Sequence, residues 1–145
     1  MTTALDLATA RAVLAAQPFS RLIGAELTAY DADGVTLVIP LRADHRQQFG
    51  YVHGGVLAYA ADNTLTYAAA LALGPNVLTG GFTITYLRPA RGVRLRAEAR
   101  CTGATRRQAV CSCEIHAEDE HGASVLVAVA QGTTRAVEPE RTQAN

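Results

Sequence analysis

The sequence predicts an α+β domain in which an antiparallel sheet of about five or six strands wraps around one long central helix. Three observations lead there. The longest helical stretch runs from about Gly54 to Leu73 and is filled by Val56, Leu57, Ala58, Tyr59, Ala60, Ala61, Leu65, Tyr67 and a further run of alanines and leucines. It has almost no polar face, and a helix apolar all round calls for burial on all sides. One strand pair precedes this helix and four strand-like stretches follow it, so curling the strands around the helix is the simplest packing. The chain has 145 residues, 49% of them hydrophobic, which suits one ordinary globular domain with a real core.

In chain order, Leu5 to Ala16 carries alanine and leucine at helical spacing and stops before Pro18, as a short peripheral amphipathic helix does. Ile23 to Tyr30 and Val35 to Leu41 read as two strands joined at Asp31-Ala32-Asp33-Gly34, a run of turn residues. Residues Arg42 to Val52 show no clean period and lead into the central helix, which ends at Gly74-Pro75. The later strands are expected at Val77 to Leu87, Val93 to Thr102, Gln108 to Ala117 and Ser124 to Thr134, with turns at Gly92, Gly103 and Gly122. This divides the chain into a peripheral segment, 1–17, a single domain, 18–137, and a polar, frayed tail, 138–145. There is no internal repeat.

Composition narrows the function. Acidic and basic residues balance at 13 each, and every one of those basic residues is arginine. That removes a polybasic nucleic-acid surface and lysine Schiff-base chemistry. Three cysteines, an odd set, in a chain without a secretory apolar segment fit a reducing cytoplasm. Asp6 and Arg11 within the first helical stretch argue against a signal peptide, and no apolar run reaches membrane-spanning length.

The most informative segment is Gln47 to Asp62: a polar loop, a His53-Gly54-Gly55 corner, then the apolar helix interrupted by one carboxylate. The first N–H groups of a helix have no intrahelical partner and lie at the positive end of its dipole, where they can hold a developing oxyanion. Glycines are poor helix formers, so two of them in the first turn point to something approaching the backbone closely, or to no more than a tight turn. Asp62, in so apolar a setting, is expected to be hard to ionise unless water or a donor reaches it.

The string Gln47, His53-Gly54-Gly55 and Asp62, followed by Thr79-Gly-Gly-Phe-Thr-Ile-Thr-Tyr-Leu-Arg-Pro-Ala90, resembles the hotdog-fold acyl-CoA thioesterases of the phenylacetic-acid-degradation type over roughly residues 18–136. The resemblance implies a sheet wrapped round the helix, two subunits joined edge to edge, and active sites between them; a homo-oligomer is expected, a dimer or a dimer of dimers. It also implies that the Gly54 N–H polarises the thioester carbonyl, that Gln47 positions the thioester or the water, and that Asp62 is the catalytic carboxylate, as nucleophile or as general base. His53 then has a supporting role. No bound cofactor or metal is implied; coenzyme A enters as part of the substrate.

Geometry leads separately to a shared site. Gly54 and Asp62 are eight residues apart, which at 1.5 Å per residue is about 12 Å along one helix. An oxyanion donor and a base must both lie about 3 Å from the reacting carbonyl, so one chain cannot supply both. Antiparallel helices from two subunits bring each Asp62 opposite the other Gly54, giving at least a homodimer with two equivalent sites.

Two threonines compete to assist Asp62. Thr66 lies one turn along the same helix face, and Thr79 matches a Ser or Thr position of the resembling family. Asn63 and Gly55 are candidate substrate contacts beside the aspartate and at the corner. Tyr86, with Tyr51, Tyr59, Tyr67 and Phe82, can line an acyl pocket or fill the core, and the acyl group is expected to be medium-chain or aromatic. Arg88, among several arginines in or beside the later strands, can meet coenzyme A phosphates.

Cys111, Cys113 and His116 look like a metal set, but in a strand the two cysteines face one way and the histidine the other, so they read as core. No nucleophile elbow, P-loop or dinucleotide fingerprint is present. Two alternatives stand beside the hydrolase: an acyl-thioester dehydratase or hydratase, which needs a His-centred acid-base pair not evident here, and a non-catalytic acyl-CoA binding or sensing module, which has no need of a carboxylate that is costly to desolvate.

Overall fold

The computed structural model describes residues 5–139. Helix α1 (Leu7–Ala15) begins at Asp6, whose carboxylate accepts the otherwise unpaired Thr9 N–H at 2.7 Å. A second helix follows at once, α2 (Pro18–Ile23), where the sequence pattern predicts the start of a strand at Ile23. Pro18 occupies the first turn, where its missing N–H costs nothing, and Gly24 closes the helix in the left-handed region at φ 84°. That punctuation overrides the strand-like character of Ile23. The strand β1 therefore begins later, at Glu26–Asp31.

The rest of the chain gives β2 (Gly34–Pro40), a one-turn 3-10 helix (Ala43–His45), α3 (Gly54–Leu73), β3 (Val77–Tyr86), β4 (Arg94–Ala104), β5 (Gln108–Glu118) and β6 (Ser124–Ala136). The bounds of α3 are the expected ones, and the ends of β2 to β6 move by no more than two residues. Six antiparallel strands form one sheet in the order β1-β2-β4-β5-β6-β3, with β1 and β3 at its edges. The sheet curls round α3, the α+β hotdog arrangement expected from the sequence. Leu37, Ile39, Leu95, Ile115 and Val127 from the strands and Leu57, Ala60, Leu65 and Ala68 from α3 make its core. The expected tail from 138 includes residues 140–145, which lie outside the described residues, as do residues 1–4 of the expected peripheral segment.

Burial of α3 is not complete, contrary to the reading of an apolar helix as enclosed on all sides. Ala58, Tyr59, Asp62, Asn63 and Thr66 are only half-buried. They recur at helical spacing and form one stripe that the sheet does not cover. On either side of this stripe stand α2 and the edge strand β3. Here Gly132 of β6 permits a close approach: a Cβ there would lie 2.7 Å from the Cβ of Phe82 and 2.9 Å from the Gly81 carbonyl oxygen.

Elsewhere one inward carboxylate is held by two arginines, while the buried Tyr30 hydroxyl and His116 Nδ1 have no partner among the described residues. Glu118, buried at the end of β5, bonds both Arg94 and Arg96, the latter at 2.8 Å. Arg94 is therefore occupied within the sheet. Cys111 and Cys113 are buried core residues. Among the described residues no group of three His, Cys, Asp or Glu side chains is arranged to hold a metal, and no helix is long and apolar enough to cross a membrane.

Burial sets an alkaline limit on stability. It pushes the phenols of Tyr30 and Tyr67 up from 10.0 to about 12, and the thiols of Cys111 and Cys113 up from 9.0 to about 12. The fold favours the protonated form of each, so the unfolded chain gives up these protons first. Their contribution is complete below about pH 9 and is lost as the pH rises toward about 12. Thermal melts should show a midpoint that falls progressively above about pH 9; a level midpoint up to about pH 11 would contradict this account.

Candidate active site

The corner before α3 is built on two histidines. His45 is buried, its Nδ1 accepting the Arg42 N–H at 3.1 Å and its Nε2 donating to the Ile23 carbonyl at 2.7 Å. Both ring nitrogens are used, which makes it a structural tie between this loop and the end of α2. Its own carbonyl accepts the His53 N–H at 2.8 Å and so fixes the chain as it enters the helix.

His53 is the N-cap of α3, and its Nδ1 accepts the Gly55 N–H at 2.8 Å. An accepting Nδ1 carries no proton, so the cap requires the neutral ring with its proton on Nε2. A Cβ on Gly55 would lie 2.9 Å from that Nδ1, so the glycine makes room for the cap. The two glycines thus differ. The Gly55 N–H is consumed, and the Val56 N–H bonds the His53 carbonyl, but among the described residues the Gly54 N–H has no acceptor. Tyr86, at the end of β3, donates its hydroxyl to the Gly54 carbonyl at 2.9 Å and latches that strand to the first turn of the helix.

Two turns further on, Asp62 meets both threonines. Thr79 Oγ1 donates to Asp62 Oδ1 at 2.5 Å. Thr66 Oγ1 bonds the Asp62 backbone oxygen at 2.8 Å and lies 2.8 Å from Thr79 Oγ1, but its approach to Asp62 Oδ1 is a long 3.5 Å. The direct hold on the carboxylate is therefore Thr79's, with Thr66 behind it. Asp62 Oδ2 has no partner among the described residues. A carboxylate with one oxygen anchored and the other free can present that oxygen as a base or a nucleophile.

Asp62 opens into a cleft of about 500 Å³ between α2, α3 and β3. Asn63 does not join the Asp62 cluster: its amide donates to the Tyr59 hydroxyl at 2.9 Å, which in turn donates to Ser20 Oγ at 2.7 Å. Burial raises the Tyr59 phenol, which stays protonated as a donor. Gln47 turns its side-chain oxygen onto the Phe49 N–H of its own loop, leaving the amide nitrogen as its available group. Arg88 donates to the Leu126 carbonyl at 2.7 Å, and Arg91 stacks over the Tyr51 ring at 4.4 Å.

The chain thus holds two clusters, Asp62 with Thr66 and Thr79, and His53, Gly54 and Gly55 with Tyr86. Their helical members, Gly54 and Asp62, are on one continuous helix about 12 Å apart along its axis. Gln47 and Arg88 lie outside both. Sequence reasoning missed Phe19 and Ser20 of α2, which border the same cleft as Asp62. The signal for them was Pro18 and Gly24, spaced for one short helix.

Residues 49–124 match the family described as the thioesterase superfamily. A thioesterase family protein from Silicibacter pomeroyi has the same fold at a TM-score of 0.82 and 28% identity, over 89% of this chain and 96% of that one. A variant of the phenylacetic acid degradation protein PaaI from Thermus thermophilus superposes with a TM-score of 0.72 at 27% identity, over 83% of this chain and 100% of its own. The E. coli PaaI protein, at 20% identity and a TM-score of 0.75 over 89% of this chain and 91% of that one, shares the fold. No curated protein matches the chain.

Proposed function

The chain belongs to the thioesterase superfamily, and on that premise we propose that it hydrolyses acyl-CoA thioesters to the free acid and coenzyme A. The family supports a thioester as the substrate and thioester hydrolysis as the activity. The observation that carries the finer reading is the state of Asp62, which lines a cleft with Oδ1 anchored by Thr79 and Oδ2 without a partner among the described residues.

In the general-base route, Asp62 Oδ2 takes a proton from water as the water oxygen bonds to the thioester carbon. In the nucleophilic route, Oδ2 itself bonds to that carbon and water then hydrolyses the resulting anhydride. In both, negative charge gathers on the carbonyl oxygen, where the unpaired Gly54 N–H at the positive end of α3 stabilises it. Collapse breaks the carbon–sulfur bond; the leaving thiolate takes the proton held by Asp62 in the general-base route, and the proton released when water hydrolyses the anhydride in the nucleophilic one. Gln47, through its amide nitrogen, orients the thioester or the water, His53 holds the corner, and Arg88 meets the phosphates of coenzyme A.

The separation of Asp62 from Gly54 supports a site shared by two subunits, each contributing one cluster. Strand β3 is a free sheet edge that also carries Thr79, so edge-to-edge pairing there brings both catalytic regions to the seam. We read the protein as a cytoplasmic homodimer, with dimers pairing further, that uses no bound metal or cofactor.

Thiol release from short, medium, long and aromatic acyl-CoAs, followed with a thiol-trapping dye, tests the reading directly. Turnover of at least one member by a species of dimer mass or larger is expected. Tight binding of an acyl-CoA without thiol release would turn the protein into a binding module and end the hydrolase reading.

A further inference from the structure

The cleft that holds Asp62 is walled on one side by a segment outside the family-matched residues 49–124. That segment is α2. Phe19 projects from it, 58% exposed, and packs edge-on against Tyr59 of α3 with ring centroids 5.5 Å apart and planes at 71°. Beside Phe19, a continuous run of hydrogen bonds ties α3 to α2 along the cleft lining. Asn63 donates to Tyr59, Tyr59 to Ser20, and Ser20 to Gln17 at 2.6 Å, with Ser20 itself only 2% exposed.

These contacts fix the Tyr59 ring. Its hydroxyl is bonded on both sides, so swinging the ring aside would break two partly buried hydrogen bonds. The ring is thus a fixed part of the cleft lining, with Phe19 packed edge-on against it. Among the described residues the Tyr59 and Ser20 hydroxyls are both paired within the run. Beside the polar group of Asp62, Asn63, Thr66 and Thr79, the cleft offers a ligand the apolar surface of Phe19, Ala58, Tyr59, Val77, Leu78 and Phe82.

We propose that Phe19 and the bonded Tyr59 ring set the depth of the acyl groove and make the enzyme select medium-length acyl groups over long ones. This rests on the hydrolase reading, because it takes the cleft beside Asp62 as the place where the acyl group lies. A pocket that ends in a fixed wall discriminates sharply by length. One methylene too many or too few in an apolar pocket changes kcat/KM by about tenfold or more.

The test is the ratio of kcat/KM for a twelve-carbon acyl-CoA to that for a six-carbon acyl-CoA, in wild type, Phe19→Ala and Tyr59→Phe. Phe19 is largely exposed, so its replacement leaves the core intact. The ratio should rise about tenfold in Phe19→Ala. Tyr59→Phe keeps the ring but frees it from Asn63 and Ser20, and the ratio should rise by a smaller factor. Wild type that cleaves the panel while both variants keep its ratio within twofold overturns the groove assignment and leaves the hydrolase standing. Wild type that cleaves no member overturns both.

Discussion

Asp62→Asn should lower kcat on the best acyl-CoA by about a hundred- to ten-thousandfold, the range that general-base groups contribute, while the dissociation constant for that substrate stays within about a few-fold. Asparagine is nearly isosteric, and its side-chain oxygen can keep the Thr79 hydroxyl bond that Asp62 Oδ1 accepts at 2.5 Å. The anchor therefore survives. What disappears is the basic oxygen Oδ2, replaced by an amide nitrogen that can neither take a proton from water nor attack a carbonyl. Because the residue is half-buried rather than enclosed, the fold should tolerate the change, and a thermal melt separates lost chemistry from lost protein. A folded variant that keeps more than about half of kcat would remove Asp62 from the chemistry.

How far the sequence alone reaches is clearest at α3. Its limits are legible because both ends are punctuated, by His53 capping the first turn and by Gly74-Pro75 after the last. The same rule would have found α2, since Pro18 and Gly24 flank it, but the β-branched Ile23 draws the eye toward a strand. Asp62 stands out as the lone charge in an apolar helix. Its surroundings do not, because strand β3 returns beside α3 with Thr79 against Thr66, and periodicity in one element says nothing of its distance to another. For that reason the two threonines look like rivals in sequence and are neighbours in space, 2.8 Å apart. Gly54 and Gly55 likewise look equivalent until the His53 ring is located. The expected enclosure of the helix fails on its Ala58 to Thr66 stripe. Alanine, tyrosine and threonine are equally at home in a core and along a half-open cleft, so composition could not tell the two apart.

Gly54→Pro should reduce kcat by about a hundred- to a thousandfold, the effect of removing one oxyanion donor, with little loss of stability. Proline at the first position of a helix is favoured, and it deletes an N–H that has no acceptor among the described residues. His53, before it, already sits at φ −59° and ψ 134°, in the extended region that a following proline requires. The Gly54 carbonyl, which accepts from Tyr86, is untouched. Mixing this variant with Asp62→Asn then asks where the site lies. If each site takes Asp62 from one subunit and the Gly54 N–H from the other, a hybrid dimer has one ruined site and one intact site. Random pairing makes about half the dimers hybrid, so about a quarter of wild-type activity should return from two nearly inactive parents. If both groups come from one chain, no intact site can form by mixing, and activity should stay at the level of the parents. That result would also require α3 to bend far enough to close about 12 Å between its first turn and Asp62. A continuous helix from Gly54 to Leu73 holds them apart, which is why recovery is the expected outcome.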